Sequence, residues 1–282
     1  MINPVFLQLG KISIRWYGIC TALGLLAGYF LQLYRAKRYS FTKDMVADLT
    51  FFCMLAGVLG ARMAYVLRFW QQEFAGENLL RIFMVWEGGL VFQGGFIAAA
   101  VTGMILVKLR KWNLANAADL MAPALPAAHA IGRIGCLING CCFGFLYEGP
   151  LSVHYPADGN SVLFIQKQQG LLPPEALQCA GTFPVAGLES ICNILVCLLL
   201  LFLERKNRLK GRLFLLYVLL YSILRFSLEF ARGDYLTRSF GLTNAQITCL
   251  WIIPLTAVAW LTLNFISKRN NQPPQTSKEV RK

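Results

Sequence analysis

Apolar runs of about twenty residues recur along this chain and constrain its fold more than any other feature. Seven can be marked, at 16–34, 46–66, 90–107, 118–138, 186–203, 213–230 and 245–266. About twenty residues of helix cross the hydrocarbon core of a bilayer. A helix is also the form in which such a segment satisfies its own backbone in lipid. The pattern predicts an all-α, polytopic transmembrane helix bundle of about seven spans. With 56% hydrophobic and 15% charged residues, the composition falls well below the roughly 25% charge of soluble domains. The fourth run differs from the rest. It is rich in small residues and holds Pro123, Pro126 and Arg133, a make-up suited to packing against other helices. As a re-entrant segment it would leave six spans and put both chain ends on the same side.

Basic residues orient the spans, because cytoplasmic loops carry the excess of Lys and Arg. Arg35, Lys37, Arg38 and Lys43 follow the first run, and Lys108, Arg110 and Lys111 the third. Arg205, Lys206, Arg208, Lys210 and Arg212 follow the fifth, and the tail adds Lys268, Arg269, Lys278, Arg281 and Lys282. The opposite side holds Lys11, Arg15, Arg68, Arg81, Lys167, Arg232 and Arg238. Seven spans thus alternate with the N-terminus outside and the C-terminus cytoplasmic. The net charge of +13 reads as cytoplasmic loops and contact with anionic lipid, and no nucleic-acid partner is expected. Residues 1–269 are expected to form one bundle, with 139–185 as a small external cap and 270–282 as a flexible tail. No cleavable leader is expected, since the first ten residues lack a basic n-region.

Ionisable residues within the runs are few: Arg62, Asp119, His129, Arg133, Glu189, Arg225 and Glu229. Charge at membrane depth is costly and usually functional. Tyr221, Arg225, Glu229 and Arg232 fall at i, i+4, i+8 and i+11, on one helical face. The plain alternative is internal neutralisation, with Arg225 paired to Glu229 and with Arg62 and Arg133 paired to Asp119 or Glu189. Arg232 and Arg15 then leave positive charge for an anion, and a lipid phosphate suits guanidinium forks at that depth. Two glycine-rich stretches add backbone features. W-E-G-G-L-V-F-Q-G-G carries Gln93, Gly94 and Gly95, and G-R-I-G-C-L-I-N-G-C-C-F-G carries Arg133, Asn139, Gly140 and Gly144. Close helix packing is the ordinary use of such glycines; two stretches meeting one face would instead suggest a substrate cavity. Nine cysteines without regular spacing argue against a disulfide framework. Cys136, Cys141 and Cys142 are read as inert packing, and no metal is expected, because adjacent cysteines rarely satisfy tetrahedral spacing.

The second glycine stretch resembles the signature of bacterial prolipoprotein diacylglyceryl transferases. The likeness extends in register to R-W-Y-G at 15–18, L-G-A-R at 59–62, D-L-M-A-P-A-L-P at 119–126 and Y-S-I-L-R-F-S-L-E-F-A-R at 221–232. It implies an enzyme of the bacterial cytoplasmic membrane with its active site towards the external face. Such an enzyme moves the diacylglyceryl group of phosphatidylglycerol onto the lipobox cysteine in the signal peptide of a preprolipoprotein. A thioether forms, glycerol phosphate leaves, and neither metal nor organic cofactor takes part. By the same likeness Arg133 and Arg225 are the essential arginines. Tyr17, Asn139, Gly144, Tyr221, Glu229 and Arg232 shape the lipid and thiol site, with Arg62, Gln93, Gly94, Gly95 and Gly140 in the matching motifs.

The chain departs from the family pattern at Gln93, where a histidine often stands as candidate base. It departs again at Cys141–Cys142, where a glutamate is common, and in F-P-V-A-G-L-E at 183–189. His129, Glu229 or a water held by Tyr221 are the candidates for the missing base. Two other readings stay open: a phosphatidylglycerol-binding or lipid-moving paralogue without transfer, and a thiol oxidoreductase built on Cys141–Cys142.

Overall fold

The structure is a computed structural model that describes residues 4–9, 12–76, 79–85, 88–156, 162–206, 209, 211–235 and 241–270. The expected flexible tail therefore lies outside the described residues, apart from Asn270. The described chain is mainly helical: α1 (Trp16–Arg35), α2 (Lys43–Arg68), α3 (Phe92–Leu109), α4 (Leu114–Met121), α5 (Ala124–Asn139), α6 (Val162–Gln168), α7 (Val185–Arg205), α8 (Leu213–Glu229) and α9 (Asn244–Asn270). Among the described residues six stretches are long and apolar enough to cross a membrane, with α4 and α5 counted as one. The remaining expected span is α8, whose 17 residues lie at the short end of what can cross. The fourth run is a broken helix. It stops at Met121 and restarts at Ala124, and Pro123 between the two pieces has no N–H to continue the ladder.

The chain divides into two compact units. In the unit of residues 25–125, α2 and α3 pack through small residues. A Cβ on Gly60 would lie 2.3 Å from the Ala98 Cβ, one on Gly94 2.3 Å from the Ala64 Cβ, and one on Gly95 2.7 Å from the Gly57 carbonyl oxygen. Thr42 and Asn113 cap α2 and α4, accepting hydrogen bonds from the amides of Met45 and Asn116. Beneath these caps lies a core of Ala36, Phe41, Val46, Leu49, Val107 and Leu120. Arg35, read from sequence as a loop cation, is instead buried and donates to the Leu120 and Asp119 carbonyls at the end of α4. Guanidinium donors suit the unsatisfied carbonyls of a helix C-terminus.

The unit of residues 1–24 and 126–282 opens with a hairpin of β1 (Val5–Leu9) and β2 (Ile12–Arg15), paired antiparallel from Val5↔Arg15 to Leu9↔Ile12. This hairpin was not anticipated from the sequence. The first turns of α1 lie against α5, where a Cβ on Gly24 would sit 2.6 Å from the Ala128 carbonyl and one on Gly135 2.8 Å from the Cys20 Cβ. Helix α8 packs on both α7 and α9. Between α5 and α7 the chain folds around a small core of Phe143, Tyr155, Val162 and Cys179. It is tied down by bridges of Thr182 to Leu146 and Val153, and of Gly144 to Arg232. At Gly144 a side chain would meet the Phe183 carbonyl at 2.6 Å, so this backbone crossing requires glycine.

Candidate active site

Three helices of the second unit bring their buried charges to one place. Glu189, in the first turns of α7, is buried, and its Oε2 lies 3.1 Å from Nε of Arg133 on α5 and 3.5 Å from Nη1 of Arg225 on α8. The Arg133 Nε also donates to Nε2 of His129 at 2.9 Å, one turn earlier on α5. That imidazole nitrogen lies 3.7 Å from Glu189 Oε1. Glu229, four residues beyond Arg225, pairs with Arg225 Nη2 at 2.8 Å and lies 4.0 Å from Arg232 Nη1. Arg232 forks onto Asp234, with Nε to Oδ1 at 2.9 Å, and its guanidinium covers the Tyr235 ring at 4.9 Å. Three guanidiniums thus face three carboxylates. Tyr221, Arg225 and Glu229 share the expected face of α8, but the helix ends at Glu229, so Arg232 reaches the cluster from the following turn, where its backbone bridges Gly144.

Side chains with an aromatic face frame this cluster. The Tyr221 ring lies 5.3 Å from the His129 ring and 5.9 Å from the stacked Tyr217 ring. Tyr17 lies within electrostatic reach of Arg133 and of the three cysteines that follow it. An apolar cleft of about 230 Å³ opens between α5 and α7, lined by Ala127, Ala130, Ile131, Ile134, Ile194 and Leu198 among others. Its α5 lining recurs at i, i+3, i+4 and i+7, one face of the helix, while His129 and Arg133 project from another.

The end of α5 turns sharply after Asn139. Gly140 has φ +70° and Cys142 φ +59°; the second is a left-handed conformation that costs a residue with a side chain about 1–3 kcal/mol. The Tyr155 hydroxyl donates to the Leu137 carbonyl at 2.8 Å and closes the turn from the other side. Within it the sulfurs of Cys136, Cys141 and Cys142 all lie within 4.8 Å of one another, and Arg133 Nη1 lies 3.9 Å from the Cys136 Sγ. Hydrogen bonds from the other two thiols, followed by the Arg232 and Arg133 charges, hold the Cys142 thiol below its ordinary range despite burial. The Asn139 side-chain oxygen is buried with no hydrogen-bond partner among the described residues.

Arg133, Arg225, His129, Glu229, Tyr221, Arg232, Tyr17, Asn139, Gly140 and Gly144 all fall in this second unit; Arg133, Arg225 and His129 meet at Glu189, Arg225 and Arg232 meet at Glu229, and the Tyr221 ring packs on that of His129. Arg62, Gln93, Gly94 and Gly95 belong to the other unit. There Arg62 donates to the carbonyls of Arg81, Ile82, Gly88 and Gly89, holding the approach to α3. Gly94 and Gly95 serve the contact of α3 with α2, and Gln93 is exposed in the first turn of α3. Trp86 and Glu87 of the same motif lie outside the described residues. Sequence reasoning weighed Glu189 as a neutralising partner but did not rank it in the site. It also missed Thr243, whose hydroxyl donates to Glu229 Oε1 at 2.8 Å. Thr243 and Gln246 form a reciprocal cap at the start of α9, each side chain bonding the other's amide. The T-x-x-Q spacing could have revealed that cap.

The family model described as prolipoprotein diacylglyceryl transferase matches residues 4–262. The phosphatidylglycerol–prolipoprotein diacylglyceryl transferase of Halalkalibacterium halodurans is 33% identical over 269 residues, covering 92% of this chain and 87% of that protein. Proteins of the same name from Clostridium novyi and Staphylococcus carnosus are each 32% identical, over 95% and 99% of this chain and 98% and 95% of their own lengths. The chain belongs to the prolipoprotein diacylglyceryl transferase family.

Proposed function

We propose that this chain is a multi-pass membrane transferase that moves the diacylglyceryl group of phosphatidylglycerol onto the lipobox cysteine of a preprolipoprotein. The observation that carries this reading is the convergence of Arg133 and Arg225 on the one buried carboxylate of Glu189. As the substrate sulfur attacks the glyceryl carbon bearing the phosphate ester, the C–O bond breaks and charge grows on the departing glycerol phosphate. Fixed guanidiniums in a water-poor site stabilise that charge without reorganising. Glu189 holds both guanidiniums in place before lipid arrives, and Glu229 holds Arg225 together with Arg232. Tyr17 and Tyr221 flank the headgroup, and the Asn139 oxygen accepts a donor from the peptide. Gly140 and Gly144 shape the turn around it.

His129 acts in this scheme as a positioning residue. Its Nε2 already accepts from Arg133, so that nitrogen cannot take the thiol proton while the contact persists. Arg62, Gly94 and Gly95 hold the scaffold of their own unit. With α8 as a seventh span, the excess of Lys and Arg in alternate loops supports an external N-terminus and an active site towards the external face of the cytoplasmic membrane.

The test is mass spectrometry of a lipobox peptide incubated with purified protein and phosphatidylglycerol. A diacylglyceryl mass on the cysteine, absent with Arg133→Ala, supports the proposal. Folded protein that binds phosphatidylglycerol and leaves the peptide unmodified would show the site to be a lipid-binding one. A disulfide product whose formation depends on Cys141 and Cys142 would favour the oxidoreductase instead.

A further inference from the structure

Three sulfurs meet beside Arg133, and the transfer uses none of them. Adjacent side chains of an extended chain point to opposite faces. Here the left-handed Cys142, with φ +59°, and the Cys141 amide bonded to the Cys136 carbonyl at 3.2 Å fold both residues back over the end of α5. The three sulfurs lie within 4.8 Å of one another. All nine cysteines are free, so no disulfide ties up this trio. Cys136 is buried, while Cys141 and Cys142 are partly accessible.

Resting on the transferase reading, we propose that Cys142 and Cys136 form a modification site for hydrogen peroxide, closing to a disulfide that shuts off lipid transfer and reopens on reduction. Thiolate character and access decide which thiol a peroxide oxidises. Cys142 has both, since hydrogen bonds from the other two thiols and the Arg232 and Arg133 charges favour its thiolate. Cys136 is the thiol that resolves it. Consecutive Cα atoms across a trans peptide are about 3.8 Å apart, below the roughly 4.4–6.8 Å that disulfides usually span, so Cys141 is a poor partner for its neighbour. The loop that a Cys136–Cys142 bond closes holds Asn139 and Gly140, assigned above to the peptide. Drawing the sulfurs from up to 4.8 Å to about 2 Å tightens that loop. It also removes the negative charge facing Arg232 and Arg133, and moves the Cys136 sulfur from its place 3.9 Å from Arg133 Nη1. The turn and the guanidinium are disturbed together.

The oxidation proceeds in two balanced steps. The Cys142 thiolate attacks one peroxide oxygen as the O–O bond breaks, which leaves a sulfenic acid on Cys142. The other oxygen departs as hydroxide and takes up the proton that the thiol released, giving water. The Cys136 sulfur then attacks the sulfenic sulfur, and the S–S bond forms as the S–O bond breaks. The departing oxygen leaves with the Cys136 proton as a second water. Two thiols thus lose two electrons to one peroxide. An external dithiol reverses the change by attack of its thiolate on the disulfide.

Peroxide treatment of the full-length, reduced protein in detergent tests this inference, with catalase removing the peroxide before phosphatidylglycerol and a lipobox peptide are added. Transfer should fall at least tenfold and return with dithiothreitol. Peptide mapping of the same wild-type protein should find Cys136 bonded to Cys142, with two hydrogens lost, and both free again after reduction. Measured against its own untreated rate, Cys142→Ser should lose the reversible response and Cys192→Ser should keep it. Undiminished transfer by wild-type protein that carries the disulfide would overturn the inference and leave the transferase reading standing. So would treated protein in which both thiols stay free, or a loss of transfer that dithiothreitol does not restore. A reversible Cys136–Cys142 disulfide in protein that never transfers lipid, even when reduced, would sustain the modification site and sink the transferase reading.

Discussion

Replacing Glu189 with Gln tests whether one carboxylate organises the site. Its Oε2 lies 3.1 Å from Arg133 and 3.5 Å from Arg225, and all three side chains are largely buried. At an effective dielectric of about 20 each contact is worth roughly 5 kcal/mol of gross attraction. Most of that only offsets the desolvation of three ions. Removing one partner of a buried pair nevertheless costs about 3–5 kcal/mol, because the remaining charge is left uncompensated. Glu189→Gln should therefore lower the thermal midpoint of the detergent-solubilised protein, read by reaction of its emerging cysteines with a fluorogenic maleimide. The two guanidiniums, no longer held, should lose their registration with the departing phosphate. A misplacement of about 1 Å costs on the order of 10²-fold in rate. Phosphatidylglycerol affinity should be kept or increased, since the phosphate no longer competes with a carboxylate. The expected signature is thus a kcat at least about 10²-fold lower, with KM unchanged or reduced. A raised KM with kcat and thermal midpoint unchanged would refute the organising role.

Two further substitutions bear on the scaffold. Gly94→Val would place a Cβ 2.3 Å from that of Ala64 and 2.6 Å from the Gly60 carbonyl; overpacking of about 1–3 kcal/mol or more should lower the thermal midpoint, and Gly94→Ala should do so less. Thr243→Val removes both the α9 cap and the hydroxyl bond to Glu229, a loss of about 2–4 kcal/mol that Thr243→Ser should largely restore in the same melting assay.

Much of the fold was legible because a bilayer leaves so few options. The apolar runs located the long helices to within a few residues at most ends, and Pro123 marked the break in the fourth run. The hairpin at 5–15 escaped because a four- or five-residue alternation such as I-S-I-R is a weak signal beside the apolar run that follows. Arg35 shows a limit of counting loop charges. Position assigns it to a loop, yet its side chain reaches carbonyls of residues 119 and 120, a contact set by tertiary packing. In the site, the spacing on α8 revealed the face that carries Arg225 and Glu229. It could not reveal that α5 and α7 would meet that face, so Glu189 looked like one neutralising partner among several. The convergence of Cys136, Cys141 and Cys142 depends on the left-handed dihedral of Cys142, which no residue type announces.

The central claim is that guanidiniums fixed by Glu189 stabilise the charge of the departing phosphate. Single-turnover transfer by Arg133→Lys, with saturating phosphatidylglycerol and a lipobox peptide, tests it most directly. Lysine keeps the positive charge but loses the planar fork, and removing one such preorganised donor costs about 10²–10³-fold in the chemical step. Phosphatidylglycerol should still bind, and the single-turnover rate should fall by about that factor. Transfer at the wild-type rate would contradict it.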